Sequence, residues 1–302
     1  MPDFTFRLNP AAADLPGCSA VLNGVGRSYS VDGYRTTLSV KWVVTGSALY
    51  RTPQGRHLVT PDTFLVLNHG QLYAMEFEGL QQTETLCPFF QEGFLEQVSD
   101  SRRRSTAEQL DDIEARAPGM GFVERLYPMT GPLARTLARM HAGIQSGDAS
   151  GPWLEDRFVA LAAALLDLGG RVRREIDSFP ALRPATREEL YRRLHRGRDF
   201  LESSYARPIN VAMAADAANM SPYHFHHMFQ RAFRQTPNRF LQERRLEAAR
   251  RLLLATDSDV TAICLDVGFQ SLGSFSSLFR RRHGLSPRDF REASGRTVKV
   301  EI

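Results

Sequence analysis

The spacing of apolar residues changes character twice along this chain. From about Ala20 to Leu80 it is short and strand-like. Leu38, Val40, Trp42 and Val44 alternate with other residues, the period of a strand with one buried face, and Ala48 and Tyr50 continue the trace. Thr52-Pro53-Gln54-Gly55 reads as a turn. Strands are predicted at His57 to Thr60, Phe64 to Leu67 and Gln71 to Phe77, separated by Pro61-Asp62 and Asn68-His69-Gly70, with a further apolar piece at Thr85 to Phe90. Short strands so closely spaced suggest a small β-barrel or sandwich. Residues 1–20, rich in Pro and Ala, predict a loosely held arm. Residues 99–120 are polar, with Arg102-Arg103-Arg104 and Asp111-Asp112, and predict a flexible excursion with a solvated arginine triplet. Phe122 to Tyr127 could add a last strand.

From Pro132 the period becomes helical. Leu133, Leu137, Met140 and Ile144 form one stripe; after a break at Gly147 to Gly151, Leu154, Phe158, Leu161, Leu165 and Leu168 form another within Trp153 to Ile176. Two amphipathic helices joined by a short loop predict an antiparallel pair. Phe179 to Pro184, with two prolines, reads as a linker, and Arg187 to Tyr205 as the first helix of a second domain.

Residues 209–291 hold one device twice. In the first copy an alanine-rich helix, Val211 to Ala218, is followed by Asn219, which tolerates a left-handed turn. Ser221 then caps a helix opened by Pro222. Phe225, Met228, Phe229, Ala232 and Phe233 make its apolar face, and Tyr223, His227, Gln230 and Arg234, with His226 at the margin, its polar one. In the second copy Val260, Ile263 and Val267 line one helix, Gly268 supplies the turn and Gln270-Ser271 the restart. Leu272, Phe275, Leu278 and Phe279 are its buried stripe; Gly273, Ser274, Ser276, Ser277, Arg280 and Arg281 face outward. Between the copies Pro237 to Leu254 predicts one long helix, with Asp257 or Ser258 restarting the chain. Gly284 stops the last recognition helix, and Ser286-Pro287 opens a closing helix to about Ala293. Helix, tight turn, helix is the arrangement that places its second helix in the DNA major groove.

Charge sharpens that reading. Residues 1–180 hold 17 basic and 21 acidic side chains, a net −4; residues 181–302 hold 21 and 13, a net +8. The positive charge is thus confined to the half with the paired motif, as binding to a polyanion requires. Three widely spaced cysteines, Cys18, Cys87 and Cys264, fit a reducing cytoplasm and no disulfide framework. No apolar run approaches the roughly 20 residues of a membrane span, and Met1-Pro2-Asp3-Phe4 opens no secretion signal.

The second half resembles the DNA-binding domain of the AraC/XylS family of bacterial transcription regulators. The resemblance lies in Ala215, Asn219-Met220-Ser221-Pro222, Phe225 and Met228-Phe229; in Phe240, Arg245-Leu246, Ala249 and Leu252-Leu253; and in Val267-Gly268-Phe269, Phe275, Phe279, Gly284, Ser286-Pro287 and Phe290-Arg291. Asn219 stands where the family often has Gly, and Cys264 where it usually has Ala. The strand order around Leu58 to Leu67 resembles the family's cupin-like sensor half. The expected fold is therefore α+β: a cupin-like barrel with two amphipathic helices, then an all-α domain with two helix-turn-helix motifs. The expected division is a sensor over 1–130, a dimerisation hairpin and linker over 131–180, the DNA-binding domain over 181–295 and a tail over 296–302.

What the resemblance implies is a cytoplasmic, effector-responsive activator that binds duplex DNA as a homodimer and acts on RNA polymerase. DNA-contacting candidates are Tyr223, His224, His226, His227, Gln230, Arg234, Gln270, Leu272, Gly273, Ser274, Ser276, Ser277, Arg280 and Arg281. The first recognition helix, 222–233, carries the long donors and is expected to do most direct base readout; the second, 272–283, reads thymine methyls and phosphates. Trp42, Tyr50, His57 and Tyr73 are candidates to line an effector pocket. No cofactor, metal or enzymatic activity is expected: the β region offers only His57 and His69, twelve apart, and no phosphate loop or nucleophile motif occurs. His224 and His227 could share an ion, but lie where DNA contacts are expected. Two alternatives stay open: a regulator whose N-terminal half only dimerises and binds no ligand, and a cupin enzyme fused to a DNA-binding domain.

Overall fold

The computed structural model describes residues 5–10, 17–107, 121–179 and 183–298. The chain divides into two compact units, Met1–Arg192 and Arg193–Ile302.

Among the described residues the first unit is a nearly closed barrel of eight strands with three complete helices. The strands are β1 (Phe6–Leu8), β2 (Ser19–Arg35), β3 (Ser39–Thr45), β4 (Ala48–Thr52), β5 (Gly55–Val59), β6 (Thr63–Leu67), β7 (Leu72–Phe89) and β8 (Leu126–Pro128). They run in the order β1-β2-β7-β3-β6-β8, with β4 inserted between β5 and β7. All pairings are antiparallel except β1 with β2. β7 is the hub: it pairs with β2 from Leu72 to Phe89, with β4 over Ala74 to Glu76 and with β3 over Glu84 to Phe89. Register shifts at Gly26/Ser28, Val31/Tyr34 and Val43/Thr45 bend the sheet on itself.

Several expectations are corrected. The stretch expected to be a loose arm contributes β1 and the start of β2, the latter a strand of 17 residues that its glycines and serines concealed. The pieces read at Gln71 to Phe77 and Thr85 to Phe90 are one continuous strand. The polar stretch from Ser99 begins inside a helix, α1 (Phe94–Ala107), and Arg102 is bonded to the Ala163 carbonyl (3.1 Å) and Asp167 (2.9 Å). The rest of that stretch, 108–120, lies outside the described residues.

Helices α2 (Gly131–Ser146) and α3 (Gly151–Asp177) form the expected hairpin. Their apolar stripes face the sheet. Leu133, Leu137 and Met140 of α2 and Leu154, Phe158, Leu161, Leu165 and Leu168 of α3 are buried in one core with Val21, Val40, Trp42 and Phe64 of the sheet. A second core fills the barrel, from Val43, Ala48, Tyr50, Val59, Leu65, Leu67, Tyr73, Met75, Phe77 and Leu126. Both faces of β3 are therefore covered: Val40 and Trp42 enter the helix-side core, and Val43 the barrel.

The boundary between the units falls within α4 (Pro184–Ser204). The second unit continues with α5 (Val211–Ala217), α6 (Pro222–Phe233), α7 (Pro237–Ala255), α8 (Val260–Asp266), α9 (Leu272–His283) and α10 (Pro287–Val298). Helix α8 is capped by Asp259, which accepts from the Thr261 amide at 2.8 Å, rather than by Asp257 or Ser258. The closing helix runs past the expected Ala293 to Val298, into the stretch expected to be a tail; residues 299–302 lie outside the described residues. Helix α7 is shared by the two halves: Phe240 packs on Phe229 of α6 (ring centroids 5.8 Å apart), while Leu246, Ala249 and Leu253 join Ile263, Val267, Phe275 and Phe279.

Candidate nucleic-acid interface and barrel interior

The recognition helices α6 and α9 are built by the same devices. Each starts on a serine whose side chain accepts the amide three residues on: Ser221 from His224 and Ser271 from Ser274, both at 3.3 Å. Behind α6, Phe225, Met228 and Phe229 are buried, with Phe225 and Phe229 5.3 Å apart and Phe229 and Phe233 4.5 Å apart. Behind α9, Phe275 and Phe279 are buried, flanked by Phe269 (5.3 Å) and Phe290 (5.5 Å). A Cβ on Gly197 of α4 would collide with the Phe225 ring, so the absence of a side chain there lets α4 lie against α6.

The turns before the two helices use the left-handed backbone differently. Asn219 holds φ of 51°. Gly268 holds φ of 89°, and a Cβ there would meet the Tyr205 carbonyl at 2.6 Å. Arg245 fixes the same corner: its Nε donates to the Tyr205 carbonyl (2.8 Å), Nη2 donates to the Arg207 carbonyl (3.0 Å), and its guanidinium stands 5.9 Å from the Phe269 ring centre. Deeper in the unit, Arg244 pairs with the buried Glu202 at 2.6 Å; burial pushes that carboxyl up and Arg244 pulls it back.

With their Phe seams turned inward, the helices present their polar residues outward. Tyr223, His224, His226, His227 and Gln230 are exposed on α6, Tyr223 most of all at 85%. Arg234 is exposed but caps α6 in the left-handed conformation (φ 57°), so it stands beyond the helical face. Gln270, Gly273, Ser274, Ser277, Arg280 and Arg281 are exposed on or just before α9, and Ser276 is half-buried; Leu272, expected in the buried stripe, is instead 42% exposed at the first position of the helix. Neither helix carries a carboxylate in its sequence, and α9 ends in Arg280, Arg281 and Arg282, cations placed at the negative end of the helix dipole, followed by His283, whose burial pulls its imidazole below the ordinary value. Arg231 and Arg282, absent from the sequence-derived set, are exposed on the same two helices. Among the described residues no three His, Cys, Asp or Glu side chains are grouped to hold a metal ion.

The four effector candidates part company in the first unit. Trp42 lies in the helix-side core, donating from Nε1 to the Pro61 carbonyl at 3.2 Å. His57 is bonded to Glu124 (2.7 Å), a carboxylate that also accepts from Thr52 and Gln71. Tyr50 and Tyr73 come together inside the barrel, ring centres 5.9 Å apart, and burial drives both phenols up, so they stay protonated. Beside them is a residue the sequence reading passed over. Lys41 is 1% exposed, its Nζ 3.6 Å from the centre of the Phe89 ring and 4.8 Å from that of Tyr73. The signal was the run Ser39-Val40-Lys41-Trp42-Val43-Val44, too apolar on both sides of the lysine for a half-exposed strand. None of the four candidates lines the open groove of about 670 Å³ on the barrel, whose walls include Tyr29, Leu49, Leu58, Glu76 and Phe77.

Residues 214–293 match the helix-turn-helix domain family. The HTH-type transcriptional activator RhaS of Escherichia coli O157:H7 is 37% identical over 93 residues, 31% of this chain and 34% of that protein. RhaS of Enterobacter sp. is 36% identical over 109 residues, 36% of this chain and 38% of that one. The matched segment thus spans about a third of the length of these curated relatives. Among solved structures, a probable AraC family transcriptional regulator from Rhodopseudomonas palustris is 28% identical, covering 34% of this chain and 96% of that one, with a TM-score of 0.32. The DNA-binding domain of AdpA, a global transcriptional factor solved in complex with a target DNA, is 28% identical, covering 33% and 90%, with a TM-score of 0.32.

Proposed function

We propose, on the premise that the C-terminal unit is a helix-turn-helix domain of the AraC type, that this chain is a sequence-specific DNA-binding transcription regulator. One observation carries the reading: two serine-capped helices, each with a buried phenylalanine seam and a carboxylate-free outer face, pack on one shared helix. That is what insertion of two helices into a polyanionic groove requires. The exposed Tyr223, His226, His227 and Gln230 supply base-edge donors and acceptors; Arg280, Arg281 and Arg234 supply phosphate contacts; Ser274, Ser276, Ser277 and the exposed Leu272 suit phosphates and thymine methyls.

The reading extends to the first unit as a barrel that takes a small-molecule effector and so biases transcription, as an activator. RNA polymerase and a second copy of the chain are the remaining proposed partners. Contact between copies would use the outward faces of α2 and α3, since their apolar stripes are buried within the chain. The relatives are named as transcriptional activators, not enzymes. No helix among the described residues is long and apolar enough to cross a membrane, and the proposed setting is the cytoplasm, where the DNA is.

The test is selection of fragments from random DNA by the full chain, followed by titration of the selected duplex at increasing salt. The expected outcome is an enriched sequence whose affinity falls steeply with salt. Equal affinity for selected and scrambled duplexes would sink the reading.

A further inference from the structure

The two halves of the second unit meet at a corner built around one arginine. The loop that leaves α4 runs through Tyr205, Ala206 and Arg207 into α5, the first helix of the first helix-turn-helix copy. It enters at Asn210, which caps α5 by accepting the Met213 amide at 3.0 Å. Arg245, on the shared helix α7, donates to the Tyr205 and Arg207 carbonyls from two nitrogens of one planar guanidinium. The Arg207 carbonyl also accepts the Ile209 amide at 2.8 Å, so the loop is braced at the same oxygen by its own backbone. On the other flank stands the turn of the second copy. A Cβ on Gly268 would lie 3.0 Å from Arg245 Nε and 3.1 Å from the Ala206 carbonyl, so loop, guanidinium and turn are already in contact. Burial lowers the guanidinium from a value so high that it stays charged, and among the described residues no carboxylate pairs with it. Its donors are committed to main chain, and a group held by main chain fixes where the backbone lies.

The seams on α7 hold each half in place, but side-chain ridges packed into grooves leave helix crossing angles a scatter of roughly 15–20°. Directional hydrogen bonds and a steric stop narrow that freedom. Narrowing it matters on DNA. Two helices that enter successive turns of one duplex must match its repeat of about 34 Å, and one added base pair moves one target by about 3.4 Å and turns it by about a tenth of a revolution.

We propose that Arg245 sets the spacing of the DNA site: by tying the loop into α5 to the Gly268 turn before α9, it fixes the separation of the two recognition helices, and with it the number of base pairs between the two elements that the chain reads. Arg245 is a positioning residue and touches no base. The inference rests on the reading of α6 and α9 as recognition helices, and adds what holds them in register.

The experiment uses the full chain and the duplex it selects from random DNA. Binding is compared for duplexes with one or two base pairs added or removed between the two elements, and for duplexes with either element scrambled, in wild type, Arg245→Met and Arg245→Lys. Wild type should bind about tenfold or more weakly for each base pair by which the spacing is changed, a loss like that of a mismatched base pair. Arg245→Met should bind the scrambled-element duplexes within about twofold of wild type, yet discriminate between spacings by less than about threefold. Arg245→Lys keeps the charge but not the planar fork, and should fall between the two. A role in stability alone would lower the thermal midpoint and the affinity for every duplex alike, with the spacing preference untouched. That result overturns the proposal, as does a wild type indifferent to spacing. If Arg245→Met does not fold, Arg245→Lys carries the comparison by the same criteria. Selection of no sequence by wild type rejects the regulator itself, whereas a selected sequence with unchanged spacing preference in the variants rejects only the role of Arg245.

Discussion

Helices α6 and α9 are alike behind and unlike in front. Behind, both rest on a ladder of phenylalanines against α7, and both begin on a serine cap with the same 3.3 Å bond. In front, α6 displays a tyrosine, three histidines and a glutamine, whereas α9 displays a glycine and serines followed by arginines. The seam sets where a helix sits, the outer face sets what it can read, and the two can vary independently. Long donors reach base edges, while short hydroxyls and guanidinium groups suit the backbone.

The largest test of this comparison is the shared part. Phe229→Ala and Phe279→Ala should each destabilise the second unit by about 3–5 kcal/mol, since both rings are fully buried. Chemical denaturation of the full chain measures this, and a loss below about 1 kcal/mol at either site would show that the seams do not bear on the fold.

The turns come next, and should behave unequally. Gly268→Ala puts a Cβ against the Tyr205 carbonyl at a left-handed φ, and should cost about 1–3 kcal/mol. Asn219→Gly, at the matching turn, relieves a non-glycine residue of the same region and should change stability by less than about 1 kcal/mol. Equal effects would remove the distinction between a turn that tolerates a side chain and one that excludes it.

The outer faces are compared by paired substitutions on the selected duplex. His226→Ala with His227→Ala should reduce discrimination against base changes by about 1–3 kcal/mol for each base pair that these side chains read. Ser276→Ala with Ser277→Ala should lower affinity with less relaxation of sequence preference. Competition binding against single-base variants checks this, and the reverse ranking would end the division of labour between the helices. Smallest is the effect of Arg280→Ala: a weakening nearly uniform across sequences, with the salt slope reduced by about one, read from affinity at several salt concentrations.

The second unit was legible in the sequence because its determinants are local. Phe225, Met228 and Phe229 announce their face by spacing alone, Ser221-Pro222 and Ser271 announce the starts, and Gly268 the turn; each signal acts within a few residues. The first unit was legible only in outline. The pairing of β2 with β7 joins residues far apart in the chain, and nothing in the Gly- and Ser-rich stretch after Ala20 marks it as a strand of 17 residues. In the same way the stripes of α2 and α3 declared that they would be buried, but not against what; the sheet of the same chain proved to be their partner. Composition and periodicity thus determined two domains, the paired helix-turn-helix device and its outward-facing residues. Only the tertiary structure decided that both faces of β3 are covered, because burial of the second face depends on how the sheet curls on itself. That closure encloses Lys41, which no pattern in the sequence singled out, among aromatic rings.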